Sequence, residues 1–162
     1  MSGLASVARA ALRAIVYPPL AAVCFADYAF SRARGSARRR VDWLRRTSIR
    51  HAKWLGFHIR VHGEIPRNGL IVSNHVGYLD IIALSVAATS AFVSKKEVAQ
   101  WPIFGALAKM GATIFVDRER RGAVSGVAAE MREHLDAGVP LVLFPEGTST
   151  DGTHLLPFRL IA

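Results

Sequence analysis

The chain has 162 residues, 51% of them hydrophobic, and its 21 lysines and arginines against 12 acidic residues give a net charge of +9. This length allows one domain with a sizeable core and is too short for two. The single cysteine, Cys24, excludes an internal disulfide and a cysteine-rich metal site, and its apolar neighbours indicate a packing role.

Residues 1–55 predict N-terminal membrane-binding helices. The stretch 10–30 has the length and apolar character of a membrane span. The Pro18-Pro19 pair, however, removes two backbone donors from any helix that contains it, and each ring clashes with the preceding turn. We therefore expect two short apolar helices in one leaflet, with a single kinked span as the alternative.

A basic stretch follows, with nine lysines and arginines and one acid from Arg32 to Lys53, and its apolar residues recur at helical spacing. Such a charge fits nucleic acid or anionic lipid headgroups. The apolar segment before it favours membrane lipids and no nucleic-acid partner. Trp43 and Trp54 are typical of a membrane interface. Because basic flanks mark the cytoplasmic side of membrane segments, we expect the protein to lie on the cytoplasmic face of a membrane.

Residues 56–162 predict an α/β domain, a layered sheet with flanking helices, because apolar runs of strand length alternate with helical patterns. The apolar run before Ser73 predicts a central strand. The expected strands are 57–62, 69–74, 91–96, 112–116 and 139–144, and the expected helices are 79–88, 101–111 and 120–138.

Polar clusters follow three of these strands, at the sheet edge where α/β domains collect their chemistry. The clusters are Asn74-His75 with Asp80, Asp117-Arg118, and Glu146-Gly147-Thr148. His75 and Asp80 can meet only if the histidine lies in a loop and the aspartate in the first turn of the following helix. Asp80 would then orient the imidazole and leave its other nitrogen free as a general base. The alternative is a plain helix start, which also favours a carboxylate.

The motifs "NHVGYLD", "GATIFVDR" and "FPEGT", in this order, resemble those of the lysophospholipid (glycerolipid) acyltransferase family, which includes 1-acylglycerol-3-phosphate acyltransferase. The resemblance covers residues 71–158. It implies transfer of a fatty acyl group from acyl-CoA or acyl carrier protein to the free hydroxyl of a lysolipid, with no cofactor and no metal. It also implies an α/β fold with an N-terminal membrane-binding element.

The resemblance further implies that His75 is the catalytic base and that Asp80 orients it. It places the substrate-binding residues at Asn74, Arg118, Glu146, Gly147 and Thr148.

The sequence departs from the family pattern in two places. Ser149 follows the FPEGT threonine, where many members with a phosphate-bearing acceptor have arginine, and the family's fourth block is absent. We place 1-acylglycerol-3-phosphate first as acceptor and lyso-ornithine lipid as the alternative. A truncated, inactive remnant that still binds membranes is a further alternative.

Overall fold

The computed structural model describes residues 2–117 and 123–158, with the side chains of residues 2–6, 8, 9, 123 and 124 excepted. Its described part is an α/β fold with four parallel strands and flanking helices, which confirms the predicted class. The strands are β1 (Leu70–Val72), β2 (Ala91–Lys95), β3 (Ile114–Val116) and β4 (Leu141–Leu143). The helices are α1 (Ser2–Phe30), α2 (Ala37–Leu55), α3 (Tyr78–Ala87), α4 (Phe104–Met110) and α5 (Ala123–Asp136), with short 3-10 helices at Ala33–Gly35 and Lys96–Gln100.

The strand order, β1-β4-β2-β3, determines which loops become neighbours. Leu141 of β4 pairs with Leu70 of β1 on one side and with Ala91 of β2 on the other. The loops that follow β1 and β4 therefore leave the same edge of the sheet side by side. The loop after β3 leaves three strands away from β1, roughly 14 Å at the usual strand spacing.

The core lies between the sheet and the helices α2 and α5. Its buried members are Val41, Ala91, Val93, Ala112, Ile114, Val116, Val139 and Leu141, and Val127, Met131 and Leu135 of α5 pack against them. Val41 comes from α2, so the basic helix packs on the sheet as well as on α1. The apolar face predicted for this helix thus has a partner inside the chain.

Two expectations about the sheet were wrong. Residues 57–62 form no strand, and β1 is an edge strand of the described sheet. Alternation at 57–62 reflects half-burial of Phe57 and Ile59 in an extended segment. Hydrophobic patterns report burial, whereas strand formation also requires a hydrogen-bonded neighbour, which this segment lacks among the described residues.

The N-terminal segment is one helix that continues through Pro18 and Pro19, so the expected pair of short helices was wrong. Contacts with α2 hold it on both sides of the prolines. On one side Trp54 Nε1 donates to Arg13 O; on the other Asp27 accepts from two arginines of α2. Packing against a neighbouring helix therefore outweighs the local cost of the two missing donors.

Trp43 also differs from its expected place at a membrane interface. It is fully buried, donates from Nε1 to Cys24 O at 2.9 Å and meets the Tyr28 ring edge-on. Cys24 is buried beside it, as its apolar neighbours indicate. Trp43 therefore joins α1 to α2.

Candidate active site

His75 and Asp80 form the centre of the site. His75 lies in the loop between β1 and α3, and Asp80 is the third residue of α3. Their side chains meet with His75 Nδ1 2.9 Å from Asp80 Oδ2. This is the loop-and-first-turn arrangement that the spacing requires.

Asp80 is held by the start of its own helix. Its Oδ2 also accepts the backbone N–H groups of Val76, at 2.6 Å, and Gly77, at 3.0 Å. With its oxygen fixed by two main-chain donors, Asp80 accepts a third hydrogen bond from Nδ1–H, which leaves His75 Nε2 as the basic nitrogen. Among the described residues Nε2 has no hydrogen-bond partner, and the side chain is 22% exposed. A neutral imidazole held in this way can accept a proton from an approaching hydroxyl.

A second loop, residues 144–150 after β4, holds the histidine from the other side. The Phe144 ring stacks on the imidazole with centroids 4.1 Å apart. Glu146 Oε1 accepts the His75 N–H at 3.2 Å, and Thr150 N–H donates to His75 O at 2.8 Å. The pairing of β1 with β4 brings these two loops together. His75 is therefore fixed through its ring face, its ring nitrogen and both of its main-chain groups.

The remaining predicted substrate-binding residues of these loops differ in what they can offer. Asn74 and Thr148 are exposed, and neither side chain forms a hydrogen bond within the described residues, so both are available to a ligand. Gly147 has φ 72°, in the left-handed region that favours glycine, and its N–H donates to Phe144 O. Glu146 is 2% exposed.

Asp117, of the Asp117-Arg118 cluster, is not part of this arrangement. Asp117 follows β3 at the far edge of the described sheet and pairs with Lys96 Nζ at 2.9 Å. Arg118 lies outside the described residues, so its expected role in substrate binding stays a prediction.

Sequence reasoning missed Phe144 and Thr150. Phe144 looks like the last apolar residue of a strand, and Thr150 is one of several hydroxyl residues in a polar loop. Only the strand order brings them to His75, and periodicity does not reveal the order in which strands pair.

An apolar rim lies beside His75. Tyr78 is its centre: its ring stacks on Phe104 at 4.9 Å and meets Trp101 edge-on at 6.2 Å. Ile103, next to Phe104, also lines a small cavity of about 70 Å³ together with Tyr17 and other residues of α1. The exposed large side chains of this rim are Val76, Tyr78, Leu79, Trp101, Ile103 and Phe104.

Two further features of the site concern metal-ligating side chains and carboxylates with altered pKa values. Within residues 2–117 and 123–158, no three histidine, cysteine or carboxylate side chains are grouped so that they could hold a metal ion. Asp151, just beyond the second loop, has a lowered pKa because the Thr153 hydroxyl and then its N–H donate to the carboxylate. The Asp151 side chain is largely exposed.

The comparison with known families shows which family the protein belongs to. The family model described as Acyltransferase matches residues 58–160, which include both loops around His75. The chain belongs to the Acyltransferase family. A lyso-ornithine lipid O-acyltransferase of Brucella abortus is 42% identical over 67% of this chain and 41% of its own length. A 1-acyl-sn-glycerol-3-phosphate acyltransferase of Neisseria gonorrhoeae is 34% identical over 59% of this chain and 38% of its own length.

Structural comparison gives the same fold. The crystal structure of the 1-acyl-sn-glycerophosphate acyltransferase of Thermotoga maritima matches with a TM-score of 0.66 and 22% identity, over 99% of this chain and 68% of that one. The acyltransferase fold extends to the N-terminal helices, since nearly the whole chain is covered. The chain spans about two fifths of the length of the curated relatives.

Proposed function

We propose that this chain is a lysolipid O-acyltransferase, which moves a fatty acyl group from acyl-CoA or acyl carrier protein to the free hydroxyl of a lysolipid. The observation that supports this most directly is the His75–Asp80 pair, with Nδ1 engaged and Nε2 free. Family membership supports the class of reaction, acyl transfer, and the His75–Asp80 pair supplies a general base for it.

In the proposed reaction, His75 Nε2 takes the proton of the acceptor hydroxyl as its oxygen attacks the thioester carbonyl. The new carbon–oxygen bond forms, the carbon–sulfur bond breaks, and the thiolate leaves and receives the proton from the imidazolium. Asp80 stabilises the imidazolium while it exists. The hydroxyl itself is the nucleophile, so an acyl-enzyme is not required.

Two observations favour lyso-ornithine lipid as the acceptor, ahead of the 1-acylglycerol-3-phosphate that the sequence placed first. Identity is higher to the lyso-ornithine relative than to the phosphate-acceptor relative reported above. Ser149 also stands where the family pattern for a phosphate acceptor has arginine, and it is exposed in the loop beside His75. A missing cation lowers affinity for a dianionic headgroup more than for a zwitterionic one.

The acceptor reaches the site from a membrane surface on the cytoplasmic side, where acyl thioesters are made. Helix α1 is long and apolar enough, by length and composition, to cross a membrane, and only 6% of that stretch is buried. The apolar rim contacts this helix at one point, where Ile103 shares a cavity with Tyr17, and its residue Tyr78 follows His75 by three positions. An amphiphilic acceptor can therefore keep its acyl chain in an apolar environment while its hydroxyl approaches Nε2.

The test is acyl transfer by membranes that contain this chain. An acyl thioester is supplied with lyso-ornithine lipid or 1-acylglycerol-3-phosphate in parallel reactions, and the His75→Ala variant serves as control. We expect product from lyso-ornithine lipid, and a loss of at least about 1,000-fold in the variant, because it removes the base and its imidazolium.

Each other outcome has a defined meaning. Product from 1-acylglycerol-3-phosphate alone would reverse the order of acceptors and keep the reaction. Unchanged turnover in His75→Ala would overturn the mechanism. Absence of product from both acceptors would favour the inactive, membrane-binding alternative, and this chain would then lack the proposed activity.

A further inference from the structure

We infer that Glu146 is a positioning residue, which acts on the reaction through the main chain of His75 and not by binding the acceptor. The inference rests on the proposed function, because it specifies how the base of that reaction is held. It differs from the role that the family resemblance implies for this glutamate.

The first support is that Glu146 is buried and fully used. Only 2% of the residue is exposed. Oε1 accepts the N–H of His75 at 3.2 Å, and Oε2 accepts the N–H of Leu156 at 3.4 Å. Among the described residues Glu146 forms no ion pair. Both oxygens of a buried carboxylate are thus directed at main-chain donors, as buried charge requires.

The second support is chemical. A carboxylate only accepts hydrogen bonds, so a glutamate beside an ionised phosphate would repel it. A carboxylate could pair with the ammonium of lyso-ornithine lipid, but both oxygens of Glu146 already accept main-chain N–H groups. The exposed side chains of the same two loops, Asn74 and Thr148, can donate to a headgroup and are not used by the protein. Acceptor binding is therefore better assigned to them.

The third support is the way His75 is surrounded. Glu146 Oε1 accepts the His75 N–H, and the Thr150 N–H donates to His75 O at 2.8 Å. The Phe144 ring stacks on the imidazole with centroids 4.1 Å apart. Asp80 fixes only Nδ1, about which the ring could still tilt. Contacts from the second loop remove that freedom and set the direction in which Nε2 points. A displacement of about 1 Å at a reacting atom can cost about 100-fold in rate.

Glu146→Gln tests this assignment in the active protein. The side chain keeps its size, but one of its two acceptors becomes an amide donor that opposes a main-chain N–H. We expect kcat to fall by about 100-fold and the KM of each substrate to stay within about threefold. Glu133→Gln is the matched control, since Glu133 is exposed on α5, and it should leave both constants unchanged. A higher acceptor KM with unchanged kcat would show that Glu146 binds the acceptor and would overturn the inference.

A double-mutant cycle with Asp80→Asn separates positioning from an independent effect. If Glu146 acts through the imidazole, the two losses overlap, and the double variant falls no more than about tenfold below Asp80→Asn alone. If the losses multiply fully, Glu146 acts elsewhere and the inference fails.

The ring signals of His75 provide a readout that does not need turnover. In ¹⁵N-labelled protein in detergent micelles, we expect one imidazole tautomer, with the proton on Nδ1, and this pattern should broaden or change in Glu146→Gln while far-UV circular dichroism stays the same. Unchanged ring signals would overturn the inference. Because this readout works in an inactive chain, failure of the proposed function and failure of the positioning role are distinguishable.

Discussion

The Asp80 side chain uses one oxygen, Oδ2, for all three of its hydrogen bonds to described residues, and this allows its charge to be separated from its geometry. An asparagine can place its carbonyl oxygen at the same point and keep the bonds to Val76, Gly77 and His75. We therefore expect Asp80→Asn to fold normally and to lose kcat on the order of 100-fold, because only the charge that stabilises the imidazolium is gone. Steady-state kinetics and the thermal unfolding midpoint measure the two effects.

Asp80→Ala is the matched comparison for that prediction. It removes the hydrogen bonds at the start of α3 along with the charge, so we expect a further loss of about 1 kcal/mol in unfolding free energy. Full activity in Asp80→Asn would show that the carboxylate charge does not matter to the reaction.

At the residue scale, the sequence predicts contacts within a segment better than contacts between segments. The meeting of His75 with Asp80 follows from five residues of spacing and one helix start. The contacts of Glu146, Phe144 and Thr150 with His75 depend on β4 lying next to β1, which a strand order of β1-β4-β2-β3 provides and chain order does not.

At the scale of elements, the joint between α1 and α2 rests on a charge cluster. Asp27 accepts two bonds from Arg46, at 3.1 and 2.9 Å, and one from Arg50 at 2.7 Å, and its side chain is 16% exposed. Such charge-assisted bonds contribute more than surface pairs, although both arginines are partly exposed and solvent weakens the interaction. We expect Asp27→Ala to lower the unfolding free energy by about 1–2 kcal/mol.

The control for this prediction is an exposed ion pair within α2. Asp42 pairs with Arg38 at 3.5 Å, and both side chains are largely solvated, so Asp42→Ala should cost no more than about 0.5 kcal/mol. Thermal unfolding in detergent micelles compares the two variants. Equal midpoints would mean that the cluster at Asp27 does not hold the helices together.

The same joint explains which elements were predictable. Helix α5 and strands β2, β3 and β4 bury one face or both against the core, and their hydrophobic patterns indicate them directly. Helix α1 contains Pro18 and Pro19, which local propensity excludes from a helix interior. Its continuity depends on contacts with α2, through Asp27 of α1 and Trp54 of α2. Local propensity is a weak guide wherever such contacts decide the outcome.

At the scale of the whole molecule, the described surface brings together an apolar helix, a basic helix and the apolar rim. Charge alone would give binding that salt abolishes, as with nucleic acid. Apolar insertion would persist in salt, because burial of hydrocarbon depends little on ionic strength. The two contributions can therefore be separated by measuring vesicle binding at low and high salt.

We expect the protein to float with anionic vesicles at both salt concentrations, and we expect Ile15→Glu to weaken this binding by at least about tenfold. Ile15 is 72% exposed on α1, so the substitution leaves the fold intact while it puts a charge where we expect the helix to meet hydrocarbon. Ile65→Glu is the matched control: Ile65 is 41% exposed in the loop before β1, at the opposite end of that strand from His75. Equal flotation of both variants would place the membrane contact elsewhere than on α1. Release of the unmodified protein by high salt would show that its basic residues bind lipid without insertion of the helix.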